Sequence, residues 1–139
     1  MTGTVKLRLL REPEPPSAKE GSWRFGLQDK AGRLHDGAPR PDGTIAFDFE
    51  LTVGEGDRPI FTGPFASGPR DERFVYLSWQ RLSDGGFINR IKVRLADLDW
   101  TQVRAAQASG GWLEADLRGV QSGGGRRPVA WRIVADEER

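Results

Sequence analysis

A mainly β domain, a sandwich or partly open barrel of about seven to eight strands with one α-helix before the last two, is the architecture this sequence predicts. Three observations predict it. Apolar residues recur at every second position in several short segments, the period of a strand with one buried face. Gly and Pro, 18 and 9 of the 139 residues, fall between those segments, where turns and chain breaks belong. A single segment, opening at Asp99, carries helix start and stop chemistry. The length suits one domain over residues 1–139, large enough to fold without a disulfide or metal staple.

The elements follow in order. Residues 4–11 set Val5, Leu7 and Leu9 against Lys6, Arg8 and Leu10, a strand. Residues 12–22 hold Pro13, Pro15 and Pro16 and form a surface connection, because proline donates nothing to a ladder. Trp23 to Gln28 is a second strand, and Asp29-Lys30-Ala31-Gly32 is a turn from which Arg33-Leu34-His35 returns as a short partner. Residues 36–43 are loop. Residues 44–53 alternate most clearly, with Ile45, Phe47, Phe49, Leu51 and Val53 opposing Ala46, Asp48, Glu50 and Thr52. Residues 54–72 are a long Gly/Pro connection whose Ile60, Phe61 and Phe65 imply that it packs on the domain.

Residues 73–80 have apolar side chains on both faces, the pattern of a central strand covered on both sides. Ser83-Asp84-Gly85-Gly86 turns the chain into residues 87–95, the second arm of a hairpin. Asp99 and Gln102 form a capping box, Trp100, Val103 and Ala106 keep helical spacing, and Gly110-Gly111 ends the helix. Residues 112–117 and 128–134 are the closing strands, joined by a Gly-rich hairpin loop at 121–127, and residues 136–139 are a charged tail.

Two stretches resemble a known family. Phe61-Thr62-Gly63-Pro64-Phe65-Ala66-Ser67-Gly68-Pro69, followed by Arg73-Phe74-Val75-Tyr76-Leu77-Ser78-Trp79, is similar to the Gly-Pro-aromatic loop and Arg-Phe-x-Tyr-Leu-Ser-Trp strand of an uncharacterised bacterial family, domain-of-unknown-function family five-nine-nine-zero. Phe25-Gly26-Leu27-Gln28, Arg90-Ile91-Lys92-Val93, the helix from Trp100 and Trp131-Arg132-Ile133 occupy the places of that family's remaining elements, so the resemblance covers roughly residues 23–134. The chain departs from it at Gln80, where relatives place Gly, and at Pro128-Val129-Ala130, which lacks their nearby Cys. Some relatives carry an inherited monooxygenase label. The resemblance therefore implies, as an alternative function, an enzyme using oxygen or no cofactor, and it implies no catalytic residues.

Composition narrows the chemistry. The chain has no Cys and one His, His35, which excludes a disulfide framework, a Cys nucleophile and a multi-histidine metal site in one chain. Its 21 basic and 20 acidic residues give a net charge of +1. That balance argues against a polyanion as main partner and leaves a nucleic-acid-binding accessory role as a lesser alternative. No apolar run reaches a membrane span and the N-terminus shows no signal pattern, so a cytoplasmic protein with no membrane association is expected.

Apparent catalytic sets have plainer explanations. Ser78 lies inside a strand, whereas a nucleophile needs an exposed sharp turn. Asp99 is a helix cap rather than half of a carboxylate pair with Asp97. Arg90, Lys92 and Arg94 share one strand face, as do Lys6 and Arg8, and the acidic face of Asp48 and Glu50 is expected to neutralise them on neighbouring strands. Trp23, Trp79, Trp100 and Trp131 are expected in the core. What remains is a non-catalytic β domain that binds a small molecule or a protein partner near residues 63–69 and the Arg73–Trp79 strand. Gln28 and Tyr76 would orient the ligand, Trp79 would stack on it, Arg73 would meet an anion and Asn89 would add a polar contact. No metal ligands and no cofactor are expected.

Overall fold

The computed structural model describes residues 3–12, 23–120 and 129–136. The strands are β1 (Gly3–Arg11), β2 (Trp23–Gln28), β3 (Leu34–His35), β4 (Ala38–Pro39), β5 (Ile45–Gly54), β6 (Ile60–Thr62), β7 (Phe74–Arg81), β8 (Phe87–Arg94), β9 (Trp112–Asp116) and β10 (Trp131–Val134). Helix α1 (Trp100–Ser109) precedes the last two. The mainly β architecture with one late helix is therefore the observed one, with ten strands rather than seven or eight. The extra ones, β4 and β6, are two and three residues long inside Gly/Pro loops, too short to show a period.

The strands form two sheets and no closed barrel. The larger runs β10-β9-β1-β5-β4, with β6 also on β5; the smaller runs β3-β2-β7-β8. All pairings are antiparallel except β1 with β9. Period-two alternation does the sorting: Val5, Leu7 and Leu9 of β1, Phe47, Phe49, Leu51 and Val53 of β5 and Leu113 and Ala115 of β9 turn one way. They meet Leu27, Val75, Leu77, Ile91 and Val93 of the smaller sheet in one contiguous core. Hiding a Leu or Phe side chain from water contributes about 1.5–3 kcal/mol each, so this interior holds the two sheets together.

Helix α1 joins the same core through Val103 and Ala106. The Asp99 side chain accepts from the Gln102 amide at 2.9 Å and the Gln102 side chain accepts from the Asp99 amide at 3.3 Å, the expected capping box. Gly110 stops the helix at φ 71°, a left-handed conformation that favours glycine. Trp131 is buried, and Trp79 and Trp100 are half-buried against the core, as expected.

β7 is central within its sheet, and its outer face, expected to be covered, holds Phe74 and Ser78 buried and Tyr76 half-buried. The apolar Phe74 on that side is hidden locally: Gly68, at φ +91°, lies so close that a Cβ there would stand 2.4 Å from the Phe74 ring. The expected neutralisation of both basic stripes is corrected: the acidic face of β5 belongs to a different sheet from β8. Asp48 pairs with Arg8, Lys6 binds Asp136, and the basic stripe of β8 meets neither Asp48 nor Glu50. The hairpin loop at 121–127 and most of the connection at 12–22 lie outside the described residues. Among those described, no helix is long and apolar enough to cross a membrane.

Candidate functional site

Residues 54–72, anticipated as a loop packed on the domain, build the walls of a cleft of about 330 Å³. Its floor is apolar: Phe61 and Leu98 are fully buried beneath it and Ile60 is half-buried. The rim at Gly56 is held by the indole N–H of Trp100, which donates to the Gly56 carbonyl at 2.8 Å. β6 anchors the loop by pairing Ile60–Thr62 with the end of β5.

Three guanidinium groups line this cleft: Arg58, Arg70 and Arg73. Arg73 stands at the entry to β7. Its Nε donates to the Phe61 carbonyl at 3.0 Å and its Nη1 donates to the Gly68 carbonyl, so one side chain ties β6 to the 63–69 loop. Arg58 donates through Nη1 to the Ala96 carbonyl at 2.8 Å. Both are thus positioned by main-chain oxygens, while further N–H groups of the same planar forks have no partner among the described residues. Arg70 is exposed and has no hydrogen-bond or ion-pair partner among the described residues. Asp57 and Asp71 stand exposed on the same rim. An apolar floor beneath convergent guanidiniums suits a small ligand with an apolar body and an anionic group, because Arg engages carboxylate and phosphate in a bidentate fork.

The five residues singled out from the sequence do not converge here. Arg73 lies in the cleft wall. Gln28 and Tyr76 sit directly opposite each other across β2 and β7, on the face of the smaller sheet turned away from the core. There Gln28 is buried, and its Oε1 accepts from the Ser78 hydroxyl at 2.6 Å. Tyr76 lies beneath the guanidinium of Arg90, whose Cζ is 4.8 Å from the ring centroid. Trp79 is on the other face, against Phe25 at 4.3 Å between ring centroids. Asn89 pairs with Trp79 in the ladder, and its side chain lies outside the described set.

A triad is absent from these positions. Ser78 is fully buried against Gln28, while His35 Nε2 lies 2.9 Å from Asp29 Oδ2 and its ring stands edge-on to Phe65. Asp29 also accepts from the amides of Ala31 and Arg33, so it is a turn staple. The His35 bond, followed by those amides, holds its carboxyl below the ordinary range.

Sequence reasoning missed Arg58 and Arg70 as cleft residues. Their only signal was position inside a long loop with buried-type apolar residues. Residues 5–137 match the model of a family of unknown function, DUF5990. No curated protein and no solved structure matches the chain.

Proposed function

Because the chain belongs to DUF5990, a family of unknown function, its activity has to be read from its own surface, and we propose that it is a non-catalytic binding module for a small ligand carrying an anionic group on an apolar body. One observation carries this: Arg58, Arg70 and Arg73 line a cleft floored by Phe61 and Leu98. Arg73 and Arg58 are pre-positioned by main-chain oxygens, which lowers the ordering cost of binding. Arg70 is the free arm that closes on the anion. Asp57 and Asp71 on the rim give room for a second, cationic or hydrogen-donating group. The protein works in the cytoplasm, where its net charge of +1 sets up no general attraction for polyanions.

The test is a thermal-shift screen of small aromatic and aliphatic carboxylates and phosphates beside their neutral amides or alcohols. A ligand at a hundred times its Kd adds about 2.7 kcal/mol of stability. Anionic members are expected to raise Tm, and Arg70→Glu, which removes only the partnerless guanidinium, is expected to abolish the rise while keeping the unliganded Tm. Equal shifts from neutral isosteres, or an undiminished shift in Arg70→Glu, overturn the proposal.

A further inference from the structure

β8 is a terminal strand of the smaller sheet, which runs β3-β2-β7-β8, and among the described residues nothing pairs with its far side. The Leu95 amide donates to the Arg73 carbonyl at 3.0 Å. In an antiparallel ladder, directly opposed residues alternate between exchanging hydrogen bonds and not doing so. In the same register lie the pairs Val75 with Val93 and Leu77 with Ile91. These are therefore the bonded pairs. Arg90, Lys92 and Arg94 fall at the intervening positions, so their amides and carbonyls point away from β7 to the open edge.

The same three residues carry a stripe of positive charge in which, among the described residues, only Arg94 has an ion pair. Their side chains lie opposite to the buried Ile91 and Val93, on the outer face of the sheet. Arg90 Cζ stands 4.8 Å from the Tyr76 ring centroid and 5.1 Å from that of Phe87; Lys92 Nζ stands 5.3 Å from that of Phe74. No carboxylate of the described residues lies within 4 Å of Arg90 or Lys92, and Arg94 reaches Asp97 only at 3.6 Å. Aromatic rings hold Arg90 and Lys92 in place without neutralising them.

We propose that β8 accepts an extended acidic segment of another protein as a fifth strand, its main chain bonding to the outward groups of Arg90, Lys92 and Arg94 and its alternate acidic side chains meeting those three cations. Main-chain ladders supply affinity in strand addition and alternate side chains supply specificity. Alternate residues of a strand stand about 6.8 Å apart, so acids at every second position match the spacing of the cations. The intervening residues fall beside Ile91 and Val93 and are apolar. A second copy of this chain is disfavoured as occupant by charge, since two antiparallel β8 strands centred on Lys92 set Lys92 against Lys92 and Arg90 against Arg94.

The probe is a fluorescein-labelled peptide of four Glu-Val repeats, compared by anisotropy with the same peptide N-methylated at each Glu, which keeps the charge but removes the amides that, opposite Arg90, Lys92 and Arg94 in an antiparallel ladder, donate to β8. The Glu-Val peptide is expected to bind at least about tenfold more tightly, a difference of about 1.4 kcal/mol. It is also expected to protect the Arg90, Lys92 and Arg94 amides from hydrogen exchange. Arg90→Glu with Lys92→Glu is expected to weaken it at least tenfold. Equal affinity of the two peptides, unprotected amides, or tighter binding of a twelve-residue oligothymidylate each overturns the proposal, the last by assigning the face to a polynucleotide. The peptide comparison and the exchange experiment use the unaltered protein, so neither depends on a variant that folds.

Discussion

The outer faces of the two sheets carry similar numbers of cations and treat them in opposite ways. On the larger sheet Asp48, Arg8, Glu114 and Arg132 stand in register across β5, β1, β9 and β10, alternating in sign. Arg8 grips Asp48 with bonds of 2.7 and 3.2 Å, and Arg132 grips Glu114 with bonds of 3.0 and 2.6 Å. Arg8 and Arg40 add guanidiniums at 3.8 Å from the other Glu114 oxygen. On the smaller sheet the row Gln28, Tyr76, Lys92 ends in a cation resting on rings. One face ties its cations into a row of ion pairs, whereas on the other Arg90 and Lys92 have no carboxylate within reach among the described residues, the difference expected if the second surface serves the proposed partner and the first serves stability.

The largest effect that can break this comparison is expected at Glu114. Its side chain is only 3 % exposed, so its carboxylate depends on the row around it. Breaking a buried ion pair costs about 3–5 kcal/mol. Glu114→Ala should fall at the lower end, about 3 kcal/mol, because Arg132 is 68 % exposed and can rehydrate once released. Urea unfolding measures it. A loss below about 1 kcal/mol, the range of exposed pairs, would mean that the row is screened by water and that the two faces differ less than their geometry implies.

A smaller effect sharpens it through pH. The bond from Lys6 holds the Asp136 carboxyl below the ordinary range, with Arg8 adding attraction. A carboxyl depressed in the folded state stabilises above its unfolded value, and that contribution is lost as pH falls through the folded one. Acidification below about pH 4 should therefore weaken the closed face. Asp136→Asn should lower stability at neutral pH and flatten the acid limb of the unfolding curve. An acid limb as steep as that of the wild type would show that the carboxyl is not held by Lys6.

How legible was this in the sequence? Alternation told correctly which face of each strand is buried, because Val5, Leu7 and Leu9 or Phe47, Phe49 and Leu51 leave no other solution. The helix was legible to the residue, since Asp99, Gln102 and Gly110 act on their own backbone neighbourhood. Partnership between strands was not. Asp48 and Glu50 were expected to neutralise both basic stripes, and alternation cannot say which sheet a strand enters. Arg8 and Asp48 meet because β1 pairs with β5, a contact forty residues apart in sequence. Glu114 drew no notice, because an acid between Leu113 and Ala115 on a period-two strand looks solvated until β10 brings Arg132 beside it. For the cleft, residues 54–72 were recognised as packed, but Ala96 and Leu98, from beyond β8, complete its lining. No local pattern records that meeting.

The smallest expected effect is the sharpest test of the open face. Among the described residues Arg90 and Lys92 form no ion pair, and an exposed cation over a ring contributes about 0.5–1 kcal/mol. Against this stands repulsion among three cations at alternate positions of one strand, a term of similar size and opposite sign. Arg90→Ala with Lys92→Ala should therefore shift stability by no more than about 0.5 kcal/mol in denaturant. Salt gives the sign. Screening removes repulsion on β8 but weakens attraction in the Asp48–Arg132 row, so the wild type should gain on the double variant as salt rises, while Glu114→Ala should close its gap to the wild type. A double variant that loses more than about 1 kcal/mol at low salt would show that these side chains hold the sheet together. The open edge of β8 would then be explained by stability alone, without any partner.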